Sequence, residues 1–288
     1  MKKIIVVHNQ KYGPSSKLDQ IQEAFKAANI TPTYIELNTQ TTSRLKKEKL
    51  TKQTIVVAAG GDGTVNAVVN MVKDSATIGV LAVGTLNHFA KDSDIPLDIN
   101  EAVAAIKMGT TKKIDAVLAA DRLFVNNASI GVYPYFVRQR DRYAKTIFKW
   151  PAAFVALMYT LIKLPSKKVT LELEDHSLSG NYSVIFAGNN SYGIHATGFT
   201  NRKKLDGGTI CLYVLKQTTR VGLLTGTVKV LLGNTKALKE LHTTLLTKFS
   251  VHSKRPIWIS YDGEVEKLSE NVTFVMKPRY LTVITPSS

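Results

Sequence analysis

The run Thr54-Ile55-Val56-Val57-Ala58-Ala59-Gly60-Gly61-Asp62-Gly63-Thr64-Val65-Asn66 sets the reading of the first third of the chain. Its first six residues are uncharged and mostly aliphatic, as in a strand buried on both faces. Glycines follow, and then Val65, Val68, Val69 and Val72 recur at helical spacing. A strand that passes through glycines into a helix makes a tight turn at the strand's carboxyl end. No Cβ intervenes there, so backbone N–H groups approach an anion closely. The helix directs its unsatisfied N–H groups and its positive dipole end at the same point. Gly60, Gly61, Gly63, Thr64 and Asn66 are therefore candidate ligands of a nucleotide, with Thr64 and Asn66 reaching phosphate or ribose. Asp62 would repel a phosphate in direct contact. It suits a place behind a water or Mg²⁺, or one that orients a catalytic base. A tight turn with no ligand is the competing reading.

Outward from this run, the first third repeats the same alternation. KKIIVVHN, TYIELN and TIGVLAVGT read as further strands, and Leu18, Ile21, Phe25 and Ala28 mark an amphipathic helix. Strands alternating with helices predict a parallel α/β sheet covered on both faces. From Lys112 the pattern changes to strand-like stretches, several with period two: KIDAVLAA, RLFVNNASI, KVTLELE, YSVIFAGNN, GTICLYVLK, IWISYDGE and TFVMKPRYLTVITP. Two apolar segments among them, Lys149 to Leu164 and Val221 to Phe249, read as helices. The expectation is an α/β fold class: residues 1–111 form a parallel nucleotide-binding, catalytic domain, and residues 112–288 form an antiparallel β-rich sandwich that takes the substrate. The last strand is free to return to the first domain, and the final Pro286-Ser287-Ser288 reads as frayed.

Bulk composition narrows the function classes. The formal net charge is +16, which favours polyanionic partners, whether anionic lipid or nucleic acid, and equally describes a solvated basic surface. No zinc pattern, RNA-binding aromatic signature or long basic helix is present, so nucleic acid is not expected. A single cysteine, Cys211, allows no internal disulfide and fits a reducing, cytoplasmic compartment. The apolar run Ile4 to Val7 is too short for a signal peptide. No stretch reaches the roughly 18 to 20 apolar residues that span a bilayer. Oligomeric state is not legible, and a homodimer is compatible with the chain.

Gly60 to Asn66 is neither a Walker A loop nor a G-x-G-x-x-G turn. GGDGTVN resembles the GGDGT signature shared by diacylglycerol and sphingolipid kinases, NAD kinases and, more loosely, phosphofructokinases. Gly84-Thr85-Leu86-Asn87-His88-Phe89-Ala90, followed by Ile95-Pro96, is similar to the G-T-x-N-D-F-A-R…I-P segment of the bacterial diacylglycerol kinase family, which NAD kinases lack. Asp262-Gly263-Glu264 is similar to that family's D-G-E, and His8-Asn9-Gln10-Lys11-Tyr12-Gly13 resembles its opening N-P-x-x-G loop. Asn189 to Gly193 and Leu205-Asp206-Gly207-Gly208 resemble landmarks of the family's second domain. The chain departs from the pattern at Gln10, where the family has proline, and at Ala67, where glutamate is common. It departs again at His88, which replaces an aspartate, and near Asp206, where a second acidic residue is often found.

The resemblance implies an ATP-dependent lipid kinase that moves the γ-phosphoryl of ATP to a lipid hydroxyl. It implies Glu264 as general base, Asp62 as a second catalytic residue, and Asn9, Gly13, Thr85 and Asn87 as further nucleotide ligands. Asp206 would be a ligand of Mg²⁺. It also implies a lipid substrate and a peripheral position on the anionic inner face of a membrane. Tyr143 to Leu164 is the candidate for that contact, with Trp150, Phe154, Leu157, Met158 and Leu161 at helical spacing between lysines. Burial of this segment in the second domain is the equal alternative. An NAD kinase and a nucleotide- or lipid-binding protein without turnover are the competing functions.

Overall fold

The computed structural model describes residues 2–9, 16–146, 148–163, 166–195, 198–202, 204–216, 219, 242–268 and 271–286. Two compact units divide the chain. The first comprises Met1–Ala116, Leu205–Gly207 and Lys277–Ser288, and the second Val117–Lys204 and Gly208–Met276.

The first unit runs β1 (Ile4–His8), α1 (Ser16–Ala27), β2 (Thr33–Glu36), α2 (Thr41–Lys47), β3 (Ile55–Gly60), α3 (Asp62–Val72), β4 (Thr77–Ala82), α4 (His88–Asp92), α5 (Ile99–Met108) and the start of β5 (Thr111–Ala119). Its strands are parallel in the order β4-β3-β1-β2. Every residue of β3 is buried, which is why it reads as one apolar run rather than an alternation. On one face α1 and α5 pack Ile21, Phe25, Val103 and Ile106 against Val6, Val57 and Leu81. Burial of a side chain such as Phe25 contributes about 1.5–3 kcal/mol. α5 is delimited by local chemistry. The Asp98 carboxylate accepts the Asn100 and Glu101 N–H groups at 2.9 and 3.1 Å, and Gly109 closes the helix at φ +71°.

The second unit contains the end of β5, then β6 (Arg122–Phe124), β7 (Asn127–Gly131), α6 (Val132–Tyr143), α7 (Lys149–Lys163), β8 (Lys167–Glu172), β9 (Ser177–Asn189), β10 (Tyr192–His195), β11 (Gly198–Arg202) and β12 (Ile210–Lys216). It continues with β13 (His242–Leu246), β14 (Lys248–His252), β15 (Ile257–Tyr261), β16 (Glu264–Leu268) and the first half of β17 (Asn271–Ile284). Its ladders are antiparallel in the order β16-β15-β7-β9-β8-β14-β17, with β12 on β9 and β13 on β12. Period two is visible in β8, where Val169 and Leu171 are buried in the core, Lys168 and Glu172 are exposed and Thr170 is half-buried. Phe124, Phe249, Tyr261 and Phe274 centre that core, with the Phe249 and Phe274 rings stacked at 4.3 Å. The fold is mixed α/β, parallel in its first part and β-rich in its second.

β17 continues into the first unit, where Val283 pairs in parallel with Ile78 of β4. Within this strand Arg279 adopts φ +49°. There the Arg279 N–H donates to the fully buried Asp115 carboxylate at 2.7 Å, and the Asp115 N–H donates to Leu205 at 2.8 Å.

Two sequence expectations change. RLFVNNASI is two strands, because the Asp262 carboxylate takes the N–H groups of Val125, Asn126 and Asn127 at 2.8 to 2.9 Å and diverts them from a ladder. The helix expected from Val221 to Phe249 lies outside the described residues as far as 241. Its remainder forms β13 and β14, where β-branched Thr243 and Thr244 pair across to Tyr213 and Leu212. α6 was not anticipated. No described helix is long and apolar enough to cross a membrane.

Candidate active site

Parallel pairing places the ends of β1, β3 and β4 along one edge of the first unit's sheet, with His8 beside Ala59 and Gly60 beside Ala82 in register. Three of the segments implicated by sequence begin at this carboxyl edge, the usual ligand side of an open α/β sheet. Asn9 follows β1 and is half-buried, while Gly13 lies outside the described residues. Gly61 to Thr64 open α3, and Gly84 to Asn87 connect β4 to α4. Burial lowers the pKa of His8 at the end of β1, and the nearby Glu36 carboxylate partly offsets that.

The two glycine turns touch through their backbones. A Cβ on Gly84 would overlap the Gly61 Cα and come within 2.8 Å of the Gly61 nitrogen. A Cβ on Gly60 would overlap the Thr64 side chain. Neither position therefore admits another residue without displacing the turn. Gly61 caps α3 in an extended conformation with no side-chain acceptor, so the first N–H groups of the helix lack an intrahelical partner. Thr64 and Val65 direct their N–H groups back to the Gly61 carbonyl at 2.9 and 3.1 Å.

Polar atoms around this cradle are left over. The Thr64 hydroxyl and the Asn87 Oδ1 are buried and find no hydrogen-bond partner among the described residues. Asn87 sits at φ +51°, and its amide donates to the carbonyls of Ala82 and Gly84 at 2.9 and 3.1 Å. Those two acceptors orient the amide and leave Oδ1 as an acceptor in search of a donor. A ligand or water can satisfy such atoms, and seven other described side chains share this state elsewhere in the chain. Asn66 is different: it is fully buried, and Asn70 engages its carbonyl and its Oδ1 at 2.9 and 3.2 Å. Thr85 and His88 are exposed.

Asp62 joins the turns. Its carboxylate accepts the Phe89 N–H at 2.9 Å and the His88 N–H at 3.1 Å, capping α4 from across the contact. The role needs only the backbone of residue 88, so histidine in place of aspartate there leaves it intact. Lys17, which the sequence did not single out, comes to the same edge. From the first turn of α1 its ammonium donates to the Val83 carbonyl at 2.8 Å, one residue before Gly84. No motif marks it, because its position is set by where α1 starts rather than by its neighbours in sequence.

Asp262, Gly263 and Glu264 belong to the second unit. Asp262 at φ +47° and Gly263 at φ +92° make the two-residue turn between β15 and β16, and Glu264 opens β16 opposite Tyr261 with its side chain exposed. The three N–H groups held by Asp262 lock this hairpin to the start of β7. Charge-assisted bonds of this kind contribute about 1.5–3 kcal/mol each. Asp262→Ala should therefore lower unfolding stability by about 3 kcal/mol or more in a denaturant titration. Asp262→Asn, which can keep the oxygen that serves two of the donors, should lose about half as much. Equal stability of all three proteins would show that the hairpin does not depend on these bonds.

Beside them, Asn126, Asn189 and Arg202 form a buried polar cluster on the Val125 carbonyl, with Arg202 donating to Asn126 at 2.9 Å and Asn189 to Val125 at 2.9 Å. The landmark Asn189 thus serves the same loop as Asp262, while Asn190 exchanges hydrogen bonds with the backbone of Thr209. Asp206 lies in the first unit, half-buried, 3.9 Å from the Arg279 guanidinium. No three His, Cys, Asp or Glu side chains gather among the described residues in a way that could hold a metal ion.

Residues 3–119, which carry the cradle, match the family model of the diacylglycerol kinase catalytic domain. Through these residues the chain is similar to the diacylglycerol kinase family. A diacylglycerol kinase of Staphylococcus saprophyticus is 24% identical over 239 residues, covering 81% of this chain and 77% of that protein. One from Staphylococcus epidermidis is 26% identical over 239 residues, covering 81% and 74%. Among solved structures, a diacylglycerol kinase from Bacillus anthracis superposes with a TM-score of 0.72 at 19% identity, covering 99% of this chain and 97% of that one. An NAD kinase from Archaeoglobus fulgidus in complex with ATP has the more distant fold, with a TM-score of 0.52 at 11% identity over 99% and 94%. The diacylglycerol kinase relatives span most of the chain, as do the motif segments from Asn9 to Glu264.

Proposed function

We propose that this chain transfers the γ-phosphoryl of ATP to a hydroxyl group of a lipid of the diacylglycerol type. The observation that carries the nucleotide half is the pair of touching glycine turns, with two orphaned polar atoms beside them. The lipid half rests on the likeness to diacylglycerol kinases and on the exposed face of α7. ATP, when bound, supplies the phosphoryl group and a good leaving group. Gly61 and Gly63 allow the first N–H groups of α3 to bind phosphate oxygens, and the Thr64 hydroxyl is free to donate to another. Asn87 Oδ1 suits a hydroxyl or amino donor instead, such as a ribose or base offers. Lys17 adds positive charge at the same edge. Glu264 takes the proton of the attacking lipid hydroxyl.

The residues fit Mg²⁺ less well than ATP. Asp206 already faces Arg279, and among the described residues no group of three acidic, His or Cys side chains accompanies it. Any Mg²⁺ would be held by the nucleotide's own phosphates rather than by Asp206, and no step is assigned to it. Asp62 acts through the two turns that it ties together and is a positioning residue.

An exposed apolar face on α7 supports the lipid half of the proposal. Its buried stripe is small or polar: Ala152, Ala156 and Thr160. Its large apolar residues face outward, with Phe154 63% exposed, Ile162 57% and Leu157 45%. The side chain of Trp150 lies outside the described residues. A helix that hides alanines and exposes phenylalanine and leucine inverts the usual order. Lys145 and Lys163 flank this face, and the chain carries net charge +16, so an anionic bilayer surface is the matching occupant. The Phe154→Ala/Leu157→Ala double variant should bind anionic vesicles about tenfold more weakly or worse while melting at the wild-type temperature. Undiminished sedimentation with vesicles would remove α7 from the contact.

The assignment itself is tested with radiolabelled ATP and a total lipid extract. Label in a lipid product supports it. Label on NAD in the absence of lipid moves the chain to the competing metabolite kinase, and binding of ATP without any transfer moves it to a sensor.

A further inference from the structure

A cavity of about 700 Å³ opens in the second unit, between the start of β8 and the loop that follows β14. Its walls carry Lys167, Lys168, His252, Lys254 and Arg255, and among the described residues no carboxylate lines it. The nearest acid on these strands, Glu172, is taken by His252, whose Nε2 lies 2.9 Å from its carboxylate. Among the described residues, Lys168, Lys254 and Arg255 meet no Asp or Glu in an ion pair. The ladder fixes the two walls against each other, with His252 opposite Thr170 in register. Lys167 is half-buried, and its ammonium donates to the Pro256 carbonyl at 3.1 Å. Burial lowers its pKa, and the adjacent Arg255 charge lowers it further. Hydroxyls complete the lining: Ser166 and Ser253 at its rim, and Thr170 with Ser179, whose oxygens are 2.8 Å apart.

Cations crowded into a concavity repel one another. The repulsion is relieved by an anion, and the hydroxyls add neutral donors for its oxygens. A group with several acceptor oxygens and at least one negative charge fits this donor set, which is the chemistry of a phosphate. A solvated basic face would need no concavity and would not hold a lysine half out of water.

We propose that the cavity at Lys167, Lys168, Lys254 and Arg255 is a phosphate-binding site separate from the nucleotide cradle. The phosphate comes either from the headgroup of an anionic lipid or from a free phosphate compound. The headgroup has a structural argument in its favour: Ser166 and Lys167 follow within four residues of the end of α7, whose apolar face is exposed. A bilayer in contact with that face brings headgroups near the cavity. The site does not depend on phosphoryl transfer.

The test compares three full-length proteins: wild type, the Lys168→Ala/Lys254→Ala/Arg255→Ala variant, and a Lys26→Ala/Lys46→Ala/Lys47→Ala control. All six side chains are exposed, so both variants should fold, and the control removes the same charge from the other unit. Each is sedimented with vesicles of equimolar phosphatidylcholine and phosphatidylglycerol, and titrated with inorganic phosphate by calorimetry. A cation near an anionic surface contributes about fivefold in affinity, so the site variant should bind the vesicles about a hundredfold more weakly than wild type. The control should lose far less. Heat from inorganic phosphate that vanishes in the site variant assigns the site to free phosphate compounds as well. Vesicle loss without such heat assigns it to headgroups. A site variant that matches the control in both arms overturns the proposal. Turnover on a water-soluble short-chain diacylglycerol should be alike in all three proteins. Its absence in all three would count against the kinase reading and leave the vesicle comparison to decide this one.

Discussion

Glu264→Gln is expected to lower kcat by about 10²- to 10⁴-fold, the range that a positioned general base supplies. The substitution removes a proton acceptor and leaves nearly the same shape. Glu264 is exposed, opens a short strand and holds no other side chain in place among the described contacts, so stability should not change. The Michaelis constants for ATP and lipid should also stay near wild type, because an interaction made only in the transition state lowers kcat and kcat/KM together. A melting curve, steady-state kinetics and the labelled-lipid assay suffice to check all three statements. Near-normal kcat in a folded Glu264→Gln protein would take Glu264 out of the mechanism. Loss of activity together with a lowered melting temperature would instead mean that the hairpin itself had been disturbed. The Asp262 variants serve as the reference for that outcome, since they attack the hairpin's anchorage without touching Glu264.

The first unit was readable in sequence for a physical reason. Strands such as β3, buried on both faces, leave continuous aliphatic runs, and a turn that must let two backbones meet leaves glycines. Both marks are local. The alternation of β8 and the Asp262-Gly263 turn were legible on the same grounds. What could not be read depends on long-range pairing. Nothing near Gly84 says that its partner is Gly61, and nothing near Asp62 says that its carboxylate goes to residues 88 and 89. RLFVNNASI has the composition of one strand, and only an aspartate far along the chain divides it. α6 was missed because Arg138 to Arg142 give it a polar, strongly charged second half, with Pro134 in its first turn. α7 was found as a helix, but its apolar side was open to two readings, burial or exposure. The choice turned on Ala152, Ala156 and Thr160, since small residues allow the close approach that buries a narrow stripe and leaves the large residues outside.

Asp62→Asn is expected to cost about 10²-fold in kcat while the unit stays folded. Both carboxylate oxygens accept backbone N–H groups, Oδ1 from Phe89 and Oδ2 from His88. An amide at this position offers one acceptor and turns a donor toward the other N–H, so one charge-assisted bond of about 1.5–3 kcal/mol is lost and a repulsion replaces it. α4 has only five residues and depends on this cap, since Asn87 at its start supplies no side-chain cap of its own. The segment Gly84 to Phe89 then shifts against the glycine turn of α3, carrying the Asn87 oxygen with it. A displacement of about 1 Å in groups that position a substrate can cost 10²-fold in rate. The sheet beneath is untouched: Val56, Val57 and Ala58 remain buried, and the melting temperature should fall by a few degrees only. A positioning role has a signature that general instability lacks. KM for ATP should rise while KM for lipid stays constant, because the displaced atoms belong to the nucleotide cradle. Asp62→Glu, which restores both acceptors on a longer arm, should recover part of the loss. If Asp62→Asn turns over at the wild-type rate, or if both Michaelis constants rise equally, the link between the two glycine turns is not what holds the nucleotide.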